Sequence, residues 1–564
     1  MNFKKIILST LVLAALGSCN KISDKFDSYL NNPNTPDPNT ANTDLYLNVV
    51  QLNFASIFNG FSDIGMQVTR QIVMYGPTYQ NAYTPTSFDG VWDASYSGFM
   101  KHANALISLG TNEKKFVSVG MAKIMKAYVL MTLVDYFGNV PYTEANLGSD
   151  NTNPAQQPGK DVYAAAIALL DEGIAEMGKT SASFPGAGDF FYGTTSSNGG
   201  RAKWITLAKT LKLRAYMTTR LVDATAKAKI DALIADNDLI DTPAEDFEFK
   251  YSTKQANPNS RHPRYNGNYS ATGSAGDYMG TYFMWSMIRE KASFSNNIAN
   301  DKSDPRTRYY FYRQRINYAD VNQASSSCSV APPPPHYPAG MPFCLITSGF
   351  WGRDHGDNSG IPPDGPFRTT VGIYPCGGDF DANQGASVGL NRGGQGAGIE
   401  PIWQSAFTDF LKAEAALVLA SPGNARTLLE SGIRKSFAKV IGFPATINVV
   451  PNPAYVPTQT RQDDYVNNLV LAKYDAAATT SEKLEIIMKE YYLALWGNGI
   501  DAYNNYRRTG KPSNMQLPIV SAPGAFTSSM YYPSVHVNRN LNVTQKPGVD
   551  VHVFWDNNPA GFNK

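Results

Sequence analysis

The stretch VSVGMAKIMKAYVLM, residues 117–131, carries the apolar periodicity that decides the fold class. Its large apolar side chains recur at three- and four-residue spacing, as on one face of an α-helix: Val117, Met121, Ile124, Tyr128 and Met131. Similar stripes occur in residues 45–241 and again in residues 399–510. We therefore predict a mainly α-helical protein whose scaffold is built from these two parts of the chain.

Between the two helical parts, residues 242–398 have a different character. This segment is rich in Gly, Pro, Asn, Tyr and Asp and contains few periodic stretches. A loop-rich segment of this length is uncommon in a compact domain unless it is functional or disordered, and its aromatic content argues against disorder. We predict a single domain over residues 45–564, in which this insert lies on the helical scaffold and binds the ligand.

The helices also show a weak repeat signal. WITLAKTL, residues 204–211, matches half of the tetratricopeptide helix pair, with Ala208 and Leu211 as substitutions. Several helix pairs without a strict period accompany it. We therefore predict degenerate repeats of the tetratricopeptide type.

The N-terminus has the features of an export signal. In IILSTLVLAALGSCNK, residues 6–21, an apolar segment follows two lysines and is shorter than the roughly 20 residues that span a bilayer. It ends in LGSC, which resembles a bacterial lipobox. We predict a signal peptide over residues 1–18, lipidation of Cys19, and a tether over residues 19–44. No later stretch has about 18 consecutive apolar residues, so the lipid alone is predicted to anchor the chain.

Charge and composition narrow the classes of function. The formal net charge is +2, so no basic field is available to bind nucleic acid. Aromatic residues make up 12% of the chain, alongside 46 Gly and 35 Pro. Such a chain has ample material for a core and for long loops that carry exposed rings.

The four cysteines have different predicted roles. With Cys19 assigned to the anchor, we predict one disulfide, between Cys328 and Cys344, around the loop APPPPHYPAG at residues 331–340. Cys376 would then be a structural or free thiol. The spacing matches no zinc pattern.

The loop WGRDHGDNSGIPPDG, residues 351–365, permits four interpretations. Asp354 and Asp357 could act as a glycosidase pair, or they could bind Ca²⁺ together with Asp364. Trp351 could act as a platform for a sugar, with neighbouring polar groups bonding its hydroxyls. The loop could also bond only to itself. We predict no cofactor, with Ca²⁺ as the alternative.

Sugar rings offer an apolar C–H face to aromatic rings and a rim of hydroxyls to planar polar side chains. Candidate ligand-binding residues of these types lie in two irregular zones. The first zone contributes Tyr75, Tyr79, Asn81, Tyr83 and Trp92. The second contributes Tyr278, Tyr282, Trp285, Trp351, Arg353, Asp354, His355 and Asp357.

Two further motifs favour structural roles. In DYFGNVPYTEA, residues 135–145, an acid/base pair of Asp135 and Glu144 is conceivable, but Gly138 and Pro141 are typical of a helix end. Arg507 and Arg508 could bind a phosphate or a sugar acid. We favour an interpretation in which one guanidinium pairs with a carboxylate and the other bonds loop carbonyls.

Several segments resemble SusD/RagB-type outer-membrane lipoproteins of Bacteroidetes, in that family's order and over nearly the whole chain. They are the lipobox, LVDYFGNVPYTEA (133–145), AKWITLAKTLKLRAYMTTR (202–220), IEPIWQSAFTDFLKAEAAL (399–417), EIIMKEYYLALWGNGIDAYNNYRRTGKP (485–512) and YYPSVHVNRN (531–540). NPNTPDP, near residue 32, and the loop at residues 351–365 are similar to the SusD-like type 2 subgroup. The scattered Asp24 and Asp27 depart from the acidic export signal of many members.

This resemblance implies a scaffold of tetratricopeptide-like helix pairs beneath a loop-rich face. It also implies a non-enzymatic protein on the outer membrane, which captures nutrient, usually an oligosaccharide, for a SusC-like TonB-dependent transporter. Two alternatives remain open: a peptide-binding member of the same scaffold, and a surface glycoside hydrolase.

Overall fold

The structure is a computed structural model that describes residues 42–316, 332–344, 346, 348–358 and 365–564. The α-helices of the first helical part are Thr43–Val68, Tyr79–Ala82, Asp89–Asp93, Lys101–Asn112, Phe116–Phe137, Gly159–Gly178, Gly199–Thr219 and Ala226–Asp236. The insert contains Pro263–Asn268, Thr281–Ile288 and Thr307–Tyr310. The second helical part contains Ser405–Leu419, Ala425–Thr446, Gln459–Asp464, Ala472–Ala476, Thr480–Ala494 and Gly499–Thr509, followed by Ser534–Arg539. Two π-helical segments, Ala94–Met100 and Tyr465–Leu471, extend neighbouring helices.

The helix Phe116–Phe137 is the centre of the scaffold and contains the stretch that predicted the fold. All five residues of its predicted stripe are buried. Its length and hydropathy would also suit a membrane span, but 89% of its apolar window is buried inside the protein. It is therefore a core helix, apolar on nearly every side because neighbours surround it.

Consecutive helices pack in pairs on both sides of the insert. Phe116–Phe137 packs against Gly159–Gly178, which in turn contacts Gly199–Thr219. In the second part, Ser405–Leu419 packs against Ala425–Thr446 and Thr480–Ala494. The mainly α-helical scaffold of tetratricopeptide-like pairs is confirmed.

Buried polar side chains tie the scaffold helices together, as the structural interpretation of two motifs predicts. Asp135 accepts hydrogen bonds from Tyr163 Oη at 2.7 Å, Asn504 Nδ2 at 2.7 Å and Trp555 Nε1 at 3.0 Å. Its helix ends at Phe137, with Gly138 at a φ of 80°. Asp135 is thus a buried connector, and the helix end predicted at Gly138 is confirmed.

The two arginines at the end of Gly499–Thr509 have separate partners. Arg508 pairs with the buried carboxylate of Glu414. Arg507 donates to the carbonyl of Ser528 at 2.7 Å and to Asn504 Oδ1 at 2.6 Å. The predicted ion pair is confirmed for Arg508, and Arg507 bonds one loop carbonyl, that of Ser528, together with a side chain of its own helix.

The first and last long helices cross at a pair of glycines. An ideal Cβ added to Gly499 would lie 2.0 Å from the carbonyl oxygen of Ser62, and one added to Gly65 would lie 2.1 Å from the carbonyl oxygen of Gly499. Both obstacles are backbone atoms, which cannot rotate away. The close approach of these helices therefore requires glycine.

We expect Gly499→Ala to lower the free energy of unfolding by about 1–3 kcal/mol because the helices must move apart. Gly442→Ala is the matched control, since Gly442 also lies inside a helix but has no atom within 4 Å of an added Cβ. That variant should be unchanged or more stable by about 0.5–1 kcal/mol. Denaturant titration of both variants measures the difference, and equal stabilities would contradict the close-crossing account.

The insert begins and ends on one two-stranded ribbon, in which Phe247–Lys250 pairs antiparallel with Ile399–Trp403. A second ribbon inside the insert pairs Phe311–Arg313 with Thr369–Val371. Arg313 of this ribbon binds Asp381 through two hydrogen bonds of 2.6 and 3.0 Å, and both side chains are buried. This buried pair thus fixes the second ribbon inside the insert.

Glu400 on the base ribbon is a buried carboxyl with little charge compensation. Its Oε1 accepts hydrogen bonds from Asn59 Nδ2 at 3.0 Å and Tyr251 Oη at 3.1 Å. Burial raises the pKa of Glu400 to about 8. The adjacent His262, whose Nε2 lies 3.6 Å from Glu400 Oε1, stays neutral because burial lowers its pKa to about 3.

We expect Glu400→Gln to gain stability relative to the wild type as pH rises. The pKa of Glu400 is raised in the folded state, so its contribution to stability is complete below the ordinary pKa and is lost as pH rises toward about 8. Glutamine keeps both hydrogen bonds and does not ionise. The stability difference should grow by more than about 1 kcal/mol between pH 5 and pH 8, and a constant difference would contradict the prediction.

Candidate ligand-binding face

The two aromatic zones predicted from the sequence meet in the structure. The backbone N–H of Val73 donates to the carbonyl of Tyr278 at 3.1 Å, and that of Gly356 donates to the carbonyl of Met74 at 3.1 Å. The loop after the first helix thereby joins two segments of the insert. These loops form one surface, which we call the loop face.

Beneath the loop face, Tyr79 and His355 form part of a buried polar layer. Arg70 donates to Tyr79 Oη at 2.7 Å, and His355 Nε2 lies 3.3 Å from the same oxygen. Burial raises the pKa of Tyr79 to about 12 and, together with Arg70, keeps the pKa of His355 well below its usual range. Both side chains hold loops together and do not face solvent.

Asp354 belongs to the same buried layer. One carboxyl oxygen accepts the backbone N–H of Cys344 at 2.8 Å, and the other accepts from Gln516 Nε2. Burial raises the pKa of Asp354 to about 7. Asp354 therefore connects three loops, which corrects its predicted roles as a glycosidase acid, a calcium ligand or a surface contact.

The calcium alternative finds no support elsewhere on this face. Asp357 is half-buried, and Asp364 lies outside the described residues. No group of three or more His, Cys, Asp or Glu in the described part of the chain could hold a metal ion.

An arginine–tyrosine stack lies next to the buried layer. The guanidinium carbons of Arg353 and Arg368 lie 4.1 and 3.9 Å from the ring centroid of Tyr278, and Arg353 also lies 5.9 Å from that of Tyr75. Tyr278 and Arg353 are buried, whereas Tyr75 is 44% exposed. Tyr75 and the exposed Asn81 remain candidates for ligand contact.

Several other predicted platforms are covered by protein, and their assignment needs correction. The buried rings are Tyr79, Trp92, Tyr278, Tyr282 and Trp351. Trp92 borders a pocket of about 210 Å³, but its ring packs against Tyr96 and His536 at centroid distances of 4.6 and 4.4 Å. Tyr83 is half-buried and donates to Gln67 Oε1 at 2.8 Å. A ring covered in this way cannot stack on a sugar.

Trp285 differs from these rings because it is half-buried and lines a cleft of about 430 Å³. Loop residues 338–342, 513–515 and 517 form much of the remaining wall. A second pocket of about 280 Å³ adjoins this cleft, and the two share Ser513 and Asn514. We call the two adjoining pockets together the Trp285 cleft.

Asn514 is held in one orientation between the two compartments. Its Oδ1 accepts from Tyr282 Oη at 2.7 Å and from Lys489 Nζ at 3.2 Å, while its Nδ2 donates to Glu290 Oε1 at 2.6 Å. Sequence reasoning missed Asn514 and its neighbours. Their only signal was the loop character of the chain after Gly510, which does not indicate contact with residue 285.

The cysteines agree in part with the predicted pairing. Cys344 is disulfide-bonded, and Cys376 is a buried free thiol. The predicted partner Cys328 and the predicted lipidation site Cys19 both lie outside the described residues.

The protein is thus a scaffold of paired helices that carries a loop-rich face with a cleft. Residues 34–326 match a SusD-like family profile described as "Starch-binding associating with outer membrane", and residues 400–549 match the profile of the SusD and RagB outer membrane lipoproteins. The first match alone covers more than half of the chain. The chain therefore belongs to the SusD/RagB family, as its motifs indicate.

Solved structures share the fold over almost the whole chain. A chitin-binding protein is 20% identical, with a TM-score of 0.64, and the match covers 92% of this chain and 100% of that one. A chitin-binding SusD homolog from Flavobacterium johnsoniae is 20% identical, with a TM-score of 0.58 and coverage of 90% and 99%. A SusD/RagB family protein from Bacteroides thetaiotaomicron is 19% identical, with a TM-score of 0.64 and coverage of 92% and 100%. Comparison with curated proteins gives no significant match.

Proposed function

We propose that this protein binds oligosaccharides in the Trp285 cleft and delivers them for import across the outer membrane. The observation that carries the proposal is the position of Trp285, an accessible indole in a cleft beside the fixed amide of Asn514. A ring platform next to oriented polar groups suits a sugar, which has an apolar face and a hydroxyl rim. The starch-binding description of the family and the chitin-binding titles of two relatives support this assignment.

In the proposed mechanism, the protein binds the oligosaccharide reversibly and does not cleave or modify it. Stacking and a few hydrogen bonds give modest affinity, which suits a protein that must release its cargo to a transporter. The carboxyl that a hydrolase would need in the predicted loop, that of Asp354, is instead buried between loops. A lipid on Cys19 would hold the protein at the outer membrane, with its loop face toward a SusC-like TonB-dependent transporter.

Titration calorimetry of the purified protein against a panel of oligosaccharides and peptides tests the binding proposal, with product analysis after long incubation. We expect micromolar to millimolar binding of at least one glycan and no new reducing ends. Release of reducing ends would identify a hydrolase. Binding of peptides together with no binding of any glycan would decide for the peptide alternative.

The transporter and the anchor need a separate experiment in the native cell. We expect the wild-type protein to co-purify from outer membranes with a TonB-dependent β-barrel, and Cys19→Ala to lose both membrane retention and this co-purification. A variant that stays in the membrane without Cys19 would overturn the anchor proposal. Membrane retention without any barrel partner would overturn the transport proposal.

A further inference from the structure

The Trp285 cleft is more apolar than an unsubstituted sugar requires. Beside the indole, its larger compartment is lined by Met341, Pro342, Met515 and Leu517. Met341 and Leu517 are also joined directly, because the backbone N–H of Leu517 points at Met341 Sδ at 3.4 Å. A pyranose that carries only hydroxyls can place its C–H face on the indole, but it has no further apolar substituent to bury against these thioether and aliphatic side chains.

The polar groups of the larger compartment lie at its edge. Exposed Ser513, Asn514 and Lys564 contribute a hydroxyl, an amide and an ammonium group. A hydroxyl or an ammonium group can donate to a carbonyl oxygen of a ligand. The compartment therefore combines an apolar interior with donors beside it, which matches a group made of a methyl and a carbonyl.

The smaller compartment is charged, but four of its six charged side chains form two ion pairs. Lys489 Nζ lies 2.8 Å from Glu290 Oε2, and Lys291 Nζ lies 2.9 Å from Glu490 Oε1. The backbone N–H of Ser513 donates to both oxygens of Glu485 at 3.0 Å. With three lysines and three glutamates on its wall, this compartment offers no net field that would attract a polyanionic glycan.

We propose that the Trp285 cleft selects uncharged glycans that carry acetamido groups, with the acetyl methyl packed between the half-buried side chains of Met341 and Leu517. The sugar ring lies on Trp285, and the next unit of the chain extends past Asn514 into the paired-charge compartment. This inference rests on the proposed function and names the substrate class of the same cleft. A peptide with a large apolar side chain is the competing occupant, and the test includes it.

A matched pair of ligands isolates the acetamido group. The β-1,4-linked tetramer of N-acetylglucosamine and the β-1,4-linked tetramer of glucose share linkage and length and differ in that substituent. We expect the acetylated tetramer to bind the wild-type protein at least ten times more tightly, the scale on which an apolar pocket distinguishes small alkyl groups. The deacetylated glucosamine tetramer, which lacks the methyl and carries positive charge, should bind no better than the glucose tetramer.

Variants locate the preference within the cleft. Met341→Gln keeps the side-chain length but places an amide in the apolar compartment, so the ratio of the two affinities should fall below about threefold. Leu541→Gln is the control, because Leu541 is 91% exposed and does not line the cleft. It should leave the ratio unchanged. Circular dichroism of each variant establishes that the comparison is made on folded protein.

The outcomes separate this inference from the proposed function. Equal affinity for the two tetramers, or preference for the glucose tetramer, would overturn the acetamido selectivity while leaving glycan binding in place. If Met341→Gln does not reduce the preference for the acetylated tetramer, the acetamido group does not bind beside Met341. Binding of apolar peptides with no binding of any tetramer would overturn both the acetamido selectivity and the proposed glycan binding.

Discussion

Replacing Glu414 with alanine should lower the free energy of unfolding by about 3–5 kcal/mol, because the change leaves two buried guanidinium groups without their shared carboxylate. Arg508 and Arg220 both contact Glu414 Oε1, the latter at 2.9 Å. Burial acts to raise the pKa of Glu414, but the two arginines hold it below its ordinary value. The cluster joins Ser405–Leu419, Gly499–Thr509 and the residue that follows Gly199–Thr219.

The matched control is Asp475→Ala, which removes one partner of a solvent-exposed pair. Arg426 Nε lies 2.7 Å from Asp475 Oδ1, as close as in many buried pairs, yet both side chains are exposed. Water solvates each charge when the other is removed, so stability should hardly change. Equal losses in the two variants would contradict the assignment of the Glu414 cluster as a buried connection between the scaffold helices.

Trp285→Ala should weaken glycan binding by at least about thirtyfold, the scale of a central aromatic contact. The substitution removes the only aromatic ring among the described residues that line the larger compartment of the cleft. Trp285→Phe should retain a measurable part of the affinity, because a smaller ring still offers an apolar face. Titration calorimetry with the acetylated tetramer measures all three proteins.

Tyr75→Ala is the informative comparison for this prediction. Tyr75 is exposed on the same loop face but does not line the cleft. If the cleft is the binding site, Tyr75→Ala should reduce affinity by less than Trp285→Ala. A larger effect of Tyr75→Ala would indicate that the ligand binds at the stack that Tyr75 forms with Arg353, and not in the Trp285 cleft.

The helical scaffold was predictable from the sequence because the spacing of apolar residues that indicates a helix is a local pattern. A stripe such as Val117, Met121 and Ile124 repeats with the period of the helix itself, so burial on one side follows from spacing alone. The pairing of Arg508 with a carboxylate was also predictable in kind, because an arginine inside a packed helix needs an acceptor. Its partner, Glu414, was not, since 94 residues separate the two.

The cleft was less predictable because exposure depends on distant contacts. Trp351, Tyr278 and Trp285 all lie in the aromatic zone of the insert, yet only Trp285 remains half-exposed among these three. Trp351 and Tyr278 are covered by segments that no local pattern connects to them. Most of the other lining residues are 338–342, 513–515 and 517. Neither periodicity nor a motif associates them with Trp285.

The buried layer beneath the loop face explains why such loops can hold a defined cleft. Asp354 bonds to Cys344 and Gln516, and Gln516 Nε2 also donates to the carbonyl of Pro342 at 2.8 Å. These bonds fix the loop of Met341 and the loop of Asn514 relative to each other. Asp354 and His355, which were predicted as ligand contacts, thus support the site from below. Because the loops are already ordered, ligand binding loses less conformational entropy.

The most direct test of glycan binding at Trp285 is a crystal structure of the protein with the acetylated tetramer. We expect a sugar ring stacked on Trp285, with an acetyl group beside Met341 and the chain passing Asn514. A tetramer bound at a different part of the surface, with the Trp285 cleft occupied only by solvent, would contradict it.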